Sequence, residues 1–178
     1  MKIKIQFFTY WHCGAGSSGG SNMDALVIKD KNGLPYVPGK TLKGHIREMA
    51  ETLKESSTFV DSCFGKASKE NDKNENRNEA ECYFSNAVLE EAIDPEVSTY
   101  LFQSIASTKI DSKNALAVEG SLREVEVTVP LTLYASIENC NNKAMMIQAF
   151  GQVKRMGLNR SRGLGRCEIS LAEGVNHD

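Results

Sequence analysis

The chain has 178 residues, of which 40% are hydrophobic and 25% are charged, with a formal net charge of −2. This length allows one domain with a full hydrophobic core, and the composition is that of an ordinary soluble globular protein. No apolar run is long enough to span a membrane, and the N-terminal residues lack the apolar stretch of a signal peptide. We therefore expect a cytoplasmic protein without a membrane partner.

The first half of the chain alternates between strand and loop patterns before a helix begins. Residues 2–10 alternate between apolar and polar side chains, which predicts a strand. Residues 11–24 form a loop rich in Gly and Ser, residues 25–28 form a short strand, and residues 41–55 carry apolar residues at helical spacing. The loop contains the pattern G-x-G-x-x-G, but a strand follows it instead of the helix that a dinucleotide site requires. That kind of site is excluded.

The second half begins with a polar insertion at about residues 66–79, rich in Lys, Glu and Asn, which we expect to be mobile. Residues 98–121 give no clear pattern. The remaining segments are predicted as a strand at 81–89, a long strand from Val125 to Ile137, a helix at 142–156, a Gly/Arg loop at 157–165 and a last strand at 166–172.

Without the insertions, the predicted order is strand, helix, strand, strand, helix, strand. This order is typical of the α+β class with a ferredoxin-like or RRM-like core. We find no internal repeat and no linker, so residues 1–178 are interpreted as a single domain with inserted loops.

The cysteines are few and scattered, without a C-x-x-C pair. This spacing predicts reduced thiols that serve mostly as small core residues, and gives little support to a metal site at His12 and Cys13. The five are Cys13, Cys63, Cys82, Cys140 and Cys167.

Two basic clusters stand out against the negative net charge. Lys40, Lys43 and Arg47 share one face of the predicted helix near its N-terminus, where backbone N–H groups also favour phosphate. The stretch from Lys154 to Arg166 has five basic residues and no acid. Arginines on a glycine-rich loop suit phosphate and ribose contacts, although a basic surface turn is the plainer alternative. We expect the two clusters to meet in one groove.

The sequence resembles the RAMP superfamily, in particular the repeated backbone subunit of type III CRISPR effector complexes. The resemblance rests on four ordered blocks, which are His12-Cys13-Gly14, residues 23–30 running into residues 34–47, Lys109-Ile110-Asp111 with Gly120-Ser121-Leu122 and Glu126, and the loop from Arg160 to Gly165.

This resemblance implies an RRM-like core with a β-hairpin thumb at about residues 98–122. It also implies several copies stacked along a guide RNA, with target RNA and other effector subunits as partners. Ile110 is then a candidate wedge between bases of the guide–target duplex, a mode that does not depend on sequence. The RNA-binding residues implied by matching positions are His12, Lys40, Lys43, Arg47, Ile110, Arg160, Ser161, Arg162, Gly163 and Arg166.

The resemblance also implies a catalytic residue, because Asp24 stands where cleaving members carry the aspartate for metal-dependent cutting of target RNA. The cofactor would be Mg²⁺ or Mn²⁺, held by Asp24, waters and RNA phosphates, only if the protein is catalytic. Relatives leave a cyclic phosphate, so the ribose 2′-OH would be the nucleophile. Taken alone, a loop aspartate is usually a turn former or a cap.

Two other functions stay open. One is a scaffold subunit of the same kind of complex that binds RNA without cutting it. The other is a stand-alone RRM-like RNA-binding protein, which would carry aromatic residues on the central strands. Tyr83 and Phe84 are the only support for it.

Overall fold

A computed structural model of the chain describes residues 1–14, 16, 23–53, 57–66 and 80–172. Apart from its first residue, the polar insertion expected at 66–79 lies outside the described residues. The elements in chain order are β1 (Lys2–Phe7), α1 (Gly39–Ala50), α2 (Ser57–Phe64), β2 (Tyr83–Phe84), α3 (Pro95–Ser98), β3 (Phe102–Ser107), β4 (Arg123–Thr128), β5 (Thr132–Glu138), α4 (Lys143–Gly151) and β6 (Cys167–Leu171).

The central sheet has four strands in the order β2-β5-β1-β6. β1 is antiparallel to both neighbours, with Ile5 opposite Leu133 of β5 and Ile169 of β6. α1 leads from β1 towards β2, and α4 connects β5 to β6. This is the strand order and connectivity of the ferredoxin-like fold, so the predicted α+β class and core are confirmed.

The hydrophobic core lies between this sheet and the helices. Alternate residues of β1 point into it, and α1 and α4 each contribute residues at helical spacing. The buried side chains from these three elements are Ile3, Ile5, Phe7, Leu42, Ile46, Ala50, Met146, Ala149 and Phe150. Among the helices that the structure describes, none combines the length and apolar character needed to cross a bilayer.

α1 begins two residues before the predicted start at residue 41 and ends at Ala50 instead of 55. The early start depends on Gly39, because a Cβ there would lie 2.2 Å from the Phe84 carbonyl oxygen. The Gly39 N–H donates to Asn86 Oδ1 at 2.9 Å, which ties the helix start to the segment after β2. The helix is therefore docked by its first residue.

The long strand predicted from Val125 to Ile137 is wrong. The segment forms two strands, β4 and β5, which belong to different sheets. Pro130 lies between them, and proline has no N–H to donate to a sheet ladder. The apolar alternation continues through the break because both strands have one buried face.

Four other predicted segments are wider than the elements they became. The strand expected at 2–10 ends at Phe7. The strand expected at 81–89 pairs as a strand only at Tyr83–Phe84, after which Ala87 and Val88 form isolated bridges to Val37 and Tyr134. The helix expected at 142–156 ends at Gly151. The strand expected at 25–28 consists of single bridges, from Ala25 to Val125 of β4 and from Val27 to Gly14, so its two halves pair with different segments.

β3 and β4 form a two-stranded antiparallel hairpin, in which Phe102 pairs with Thr128 and Ser107 with Arg123. We call residues 102–128 the hairpin. Its second strand extends beyond the thumb boundary expected at residue 122. The hairpin leaves the central sheet at Val129, and its base is held by the loop that follows β1.

Candidate functional site

A cleft of about 700 Å³ lies where the hairpin meets the core. Asp24 and Arg162 line it from the core, and the hairpin supplies the rest of the wall. The hairpin residues are Ser107, Thr108, Lys109, Ile110, Val118, Glu119, Gly120, Ser121, Leu122 and Arg123. The structure thus brings Asp24, Arg162 and Ile110 together around one space, although they are far apart in the chain. We call it the hairpin cleft.

Asp24 is exposed and is held by the first residues of β4. Its Oδ2 accepts the Glu124 N–H at 2.8 Å, and its own N–H donates to the Glu124 carbonyl at 2.9 Å. The side chain therefore fixes the start of β4, near the loop end of the hairpin, to the core and also lines the cleft. One carboxylate on the cleft wall suits a hard cation that takes its other ligands from water and phosphate.

Arg162 lies in a single turn of 3₁₀ helix, Arg160–Arg162, which forms within the predicted Gly/Arg loop. Asn159 and Gly163 flank the turn with left-handed backbone, at φ 56° and 99°. Ser161, Arg162 and Gly163 are exposed. Of these three residues, Arg162 lines the hairpin cleft and supplies it with a cation from the core.

Two other glycines of this loop are required by close approach. A Cβ on Gly157 would lie 2.2 Å from the His12 carbonyl oxygen, and one on Gly165 would lie 1.8 Å from that of Met156. Both glycines also have positive φ, at 91° and 67°. The loop is therefore pressed against the segment after β1 and the segment after α4.

Arg160 points away from Arg162 and contacts α1. Its Nη1 lies 3.2 Å from His45 Nδ1 and 3.4 Å from Glu48 Oε2. Burial lowers the pKa of His45, the nearby Arg160 lowers it further, and Glu48 acts in the opposite direction. A neutral His45 accepts the arginine N–H, so Arg160 fixes the loop to the helix and is partly neutralised by Glu48.

Lys43 and Arg47 lie on the other flank of α1. Residues of a helix are about 100° apart around its axis, which puts Lys43 and Arg47 roughly opposite His45 and Glu48. Arg47 Nε pairs with Glu51 Oε1 at 2.8 Å. Lys43 lies near Cys82 and Cys63, and burial lowers its pKa.

The expectation of one groove containing both basic clusters is therefore wrong for these residues. The Gly/Arg loop docks on one flank of α1 and the lysine–arginine stripe lies on the other. Lys40 is exposed in the first turn. The predicted RNA contacts of Lys40, Lys43 and Arg47 stay predictions, and they belong to a separate surface.

Comparison with known protein families identifies the family of this chain. Residues 4–168 match the family model described as RAMP superfamily. The chain belongs to the RAMP superfamily. Among curated proteins no sequence matches it.

Two solved structures show how far the RAMP fold extends over the chain. A chain of the Type III-B Cmr-beta complex bound to cognate target RNA is 12% identical, with a TM-score of 0.68, and the match covers 94% of this chain and 95% of that one. A chain of Type III-B Cmr-beta in the apo state is 13% identical, with a TM-score of 0.70 and coverage of 97% and 96%. At these identities the likeness concerns the fold.

His12 is buried in this RAMP chain, with only 2% of its surface exposed. Its Nδ1 lies 2.6 Å from the Glu126 carbonyl oxygen, and since a carbonyl only accepts, Nδ1 carries the proton. The ring borders a smaller cavity of about 270 Å³ next to Thr41 and Gly157. His12 therefore orders the loop, and direct RNA contact stays a prediction.

Arg166 lies in a different cleft from Arg162. Its guanidinium is 5.8 Å from the centre of the Phe8 ring, which is 43% exposed. Lys154 and Arg155 line the same cleft of about 420 Å³, which opens beside the start of β6. The C-terminal basic cluster is therefore divided. Arg162 lines the hairpin cleft, Arg166 lies beside β6 and Arg160 contacts α1. Lys154 and Arg155 line both the cleft of Arg166 and the surface around Arg160.

The far end of the hairpin exposes apolar side chains that sequence reasoning did not single out. The role of Ile110 as a wedge between bases stays a prediction. The residue is 56% exposed, and it has exposed apolar neighbours. These are Leu116, Val118 and Leu122. In the sequence these apolar residues follow neither the strand nor the helix period, so the pattern alone assigns them no role.

The structure adds Lys109 and Arg123 to the candidate binding residues, because the pairing of β3 with β4 brings both to the wall of the hairpin cleft. With Arg162 they give the cleft three cations against Asp24 and Glu119. Neither was named as a binding residue from the sequence, since their role depends on how the hairpin folds back.

Proposed function

We propose that this protein is a guide-RNA-binding backbone subunit of a type III CRISPR effector complex. Membership of the RAMP superfamily supports this, as does the fold shared with Type III-B Cmr-beta chains. The observation that carries the proposal is the hairpin cleft, which places two carboxylates, three cations and an apolar hairpin end around one open space.

RNA binding in this proposal rests on charge and shape instead of base identity. Arg162, Lys109 and Arg123 neutralise phosphates, and the exposed N–H groups around Gly163 add hydrogen bonds. Ile110 and Leu116 cover the faces of bases, which are apolar for every nucleotide. The same subunit then binds any guide, as a backbone made of repeated copies requires.

Several copies would stack along one guide RNA, with target RNA paired to it and other effector subunits at the ends. Each hairpin would reach the neighbouring stretch of duplex and interrupt it at regular intervals. We place this assembly in the cytoplasm as part of the same proposal.

We further propose that Asp24 takes part in cutting the target RNA. Mg²⁺ or Mn²⁺, when bound by Asp24 and RNA phosphates, would supply charge stabilisation at the reacting phosphate. Asp24 itself would orient the ribose 2′-OH and accept its proton, directly or through one water. Arg162 on the same cleft would hold a neighbouring phosphate in place.

A scaffold subunit without catalysis is the second candidate, and one observation favours it. Asp24 already has a structural task, because Oδ2 accepts the Glu124 N–H at the start of β4. The third candidate, a stand-alone RRM-like protein, has less support. Tyr83 is exposed and Phe84 is buried, and both lie on the short outer strand β2 instead of a central one.

Two substitutions separate the catalytic from the anchoring task of Asp24. Asp24→Asn keeps an oxygen that accepts the Glu124 N–H but removes the charge, whereas Asp24→Ala removes both. If Asp24 is catalytic, both variants lose target cutting, while RNA binding stays equal or becomes slightly tighter because a repulsion of phosphate disappears. Cutting is measured on labelled target RNA by the assembled complex, with binding measured in parallel.

The control is assembly with guide RNA, which Asp24→Asn leaves intact. Equal cutting by wild type and Asp24→Asn would contradict catalysis and leave the scaffold role. A wild-type complex that binds target but never cuts it in Mg²⁺ or Mn²⁺ would do the same. A protein that never assembles with a guide RNA or other effector subunits would contradict the backbone role itself.

A further inference from the structure

Three of the five cysteines meet at the edge of the core, away from the hairpin cleft. The Sγ atoms of Cys63, Cys82 and Cys140 all lie within 4.8 Å of one another. Cys63 and Cys82 are buried, and Cys140 is half-buried. Within the described residues, no other group of three or more His, Cys, Asp or Glu side chains comes together in this way.

Backbone hydrogen bonds hold the first two cysteines side by side. Cys63 is in the last turn of α2, and Cys82 comes directly before β2. The Glu81 N–H donates to the Ser62 carbonyl at 2.9 Å and the Cys82 N–H to the Cys63 carbonyl at 3.3 Å. The two side chains therefore leave neighbouring, paired backbone segments.

Cys140 is brought to this pair by the end of β5. Tyr83 of β2 pairs with Glu138, and Asn139 then turns the chain with a positive φ of 55°. Cys82 Sγ lies 3.7 Å from the Asn139 carbonyl oxygen. The sheet pairing and the turn thus fix the third thiol next to the other two.

A side-chain contact braces the same two segments. Asn141 Nδ2 donates to Glu81 Oε2 at 2.7 Å, so the residue after Cys140 is bound to the residue before Cys82. This contact has no part in the core packing, because both residues are exposed. It restricts the distance over which Cys140 can move away from Cys82.

We propose that Cys63, Cys82 and Cys140 form a zinc site. Three thiolates at about 2.3 Å from one Zn²⁺ are about 3.8 Å apart in tetrahedral geometry, so the observed cluster needs to contract by no more than about 1 Å. The fourth position is open to water or a small thiol on the side of half-buried Cys140. The site does not depend on the proposed RNA function.

Lys43 supplies the charge that such a site needs. Three thiolates and Zn²⁺ carry a net charge of −1, and Lys43 lies near the cluster. Burial lowers the pKa of Lys43, while the nearby Cys82 and Cys63 act to raise it. Lys43 is half-buried on α1. A nearby ammonium stabilises thiolates and lowers the cost of burying the negative complex.

Metal binding has to displace protons here. Burial raises the pKa of both the Cys63 and the Cys82 thiol, which favours the protonated form of each. Zinc binds the thiolate, so binding releases protons and weakens as the pH falls, as for any cysteine ligand.

The test uses the full chain, purified with a reductant, stripped of metal with a chelator and titrated with Co²⁺ alone at neutral pH. Thiolate coordination of Co²⁺ gives an intense sulfur-to-cobalt charge-transfer band in the near ultraviolet and visible bands of tetrahedral type. We expect both to saturate at one equivalent per chain, and Zn²⁺ to displace the Co²⁺ and abolish the bands.

Cys140→Ala is the diagnostic variant, because a half-buried position tolerates the change better than the two buried ones. Cys167→Ala is the matched control, since Cys167 is a buried thiol outside the cluster. We expect the charge-transfer band to be lost or much weakened in Cys140→Ala and unchanged in Cys167→Ala. Circular dichroism checks that both variants are folded.

A second measurement does not depend on spectra. Added Zn²⁺ should raise the midpoint of thermal unfolding of the wild type and of Cys167→Ala, and leave that of Cys140→Ala unchanged, because only a ligand that binds the folded state stabilises it. A wild type without a charge-transfer band at saturating Co²⁺ would overturn the site. So would a band and a Zn²⁺ shift that persist in Cys140→Ala.

Discussion

Glu126 joins the hairpin to the core through both its side chain and its backbone. Its carboxylate accepts the Val27 N–H at 2.9 Å and pairs with Lys29 Nζ at 2.8 Å, while its carbonyl accepts from His12. Only 9% of the residue is exposed. A buried carboxylate with several donors is costly to disturb, because any lost partner leaves a charge unsatisfied. The Glu126 side chain thus helps to fix the hairpin, and with it the wall of the hairpin cleft, relative to the core.

Gly157 is the residue at which the contact between the Gly/Arg loop and the core can be tested. Gly157→Ala would place a Cβ 2.2 Å from the His12 carbonyl oxygen and force an L residue to φ 91°. We expect a loss of about 2 to 4 kcal/mol in the free energy of unfolding. Urea denaturation measures it.

Gly44 is the matched control because it is a helical glycine of α1 with nothing within 4 Å of its Cβ position. Gly44→Ala should stabilise the protein by about 0.5 to 1 kcal/mol, since alanine has the higher helix propensity. Equal effects of the two substitutions would contradict the close contact at Gly157.

At the scale of elements, α1 separates two surfaces that its sequence alone did not distinguish. The Gly/Arg loop covers the flank with His45 and Glu48, and Lys43 and Arg47 occupy the other. The helix periodicity gave the correct grouping of Lys40, Lys43 and Arg47 on one face. It could not show which flank the distant loop would approach, since that depends on the path of residues 152–166 after α4.

The sequence predicts the elements of the core correctly but not the break between β4 and β5 or the cysteine cluster. The alternation in β1 and the helical spacing in α1 and α4 were enough to predict the core fold, because each has one buried face. Pro130 lies at the break between β4 and β5, but the apolar alternation continues on both sides of it and predicts one continuous strand. The cluster of Cys63, Cys82 and Cys140 had no sequence signal, because its members come from three separate elements.

Arg162 and Arg160 should differ in RNA binding, although they lie two residues apart. Arg162 is exposed on the cleft, and it has no ion pair with any described residue. We expect Arg162→Ala to weaken RNA binding for all sequences and to reduce the salt dependence by up to about one unit of slope. Binding is measured over a series of salt concentrations.

Arg160→Ala serves as the comparison. Arg160 is already engaged by His45 and Glu48, so its removal should affect the salt dependence less. The double variant Arg160→Ala, Arg162→Ala should be weaker than either alone. Unchanged affinity and slope in the double variant would remove the Gly/Arg loop from the RNA surface.

At the scale of the whole molecule, the hairpin lies along residues 24–29 of the core and exposes apolar side chains at its loop end. The net charge of −2 hides the distribution, because the cations gather around the hairpin cleft, beside β6 and along α1. Apolar side chains that are exposed before any partner binds add little to the stability of the fold. A cluster of them is typical of a binding surface.

Replacing Ile110, Leu116 and Leu122 by Ser should therefore leave folding unchanged and weaken binding to guide–target duplex. All three are more than half exposed, so we expect the free energy of unfolding to change by less than about 0.5 kcal/mol each. Each side chain covered by a base would be worth about 1 kcal/mol in binding. Thermal unfolding and duplex binding by the assembled complex are the two measurements.

Val97→Ser and Tyr100→Ser are the control, because both residues are exposed but precede the hairpin. They should leave duplex binding unchanged. If the control weakens binding as much as the hairpin variant, general surface apolarity and not the hairpin end is responsible.

The three-residue junction from Val129 to Leu131 has a mechanical consequence. The Val129 N–H donates to the Leu101 carbonyl, the Val129 carbonyl accepts from Trp11 Nε1, and the Leu131 carbonyl accepts from Phe7. The hairpin is thus held at two places, at this junction by β1 and its neighbours and along β4 by Asp24, Val27 and Lys29. A force on the hairpin end is therefore shared between the central sheet and the segment that carries Asp24, so the position of Asp24 follows any movement of the hairpin.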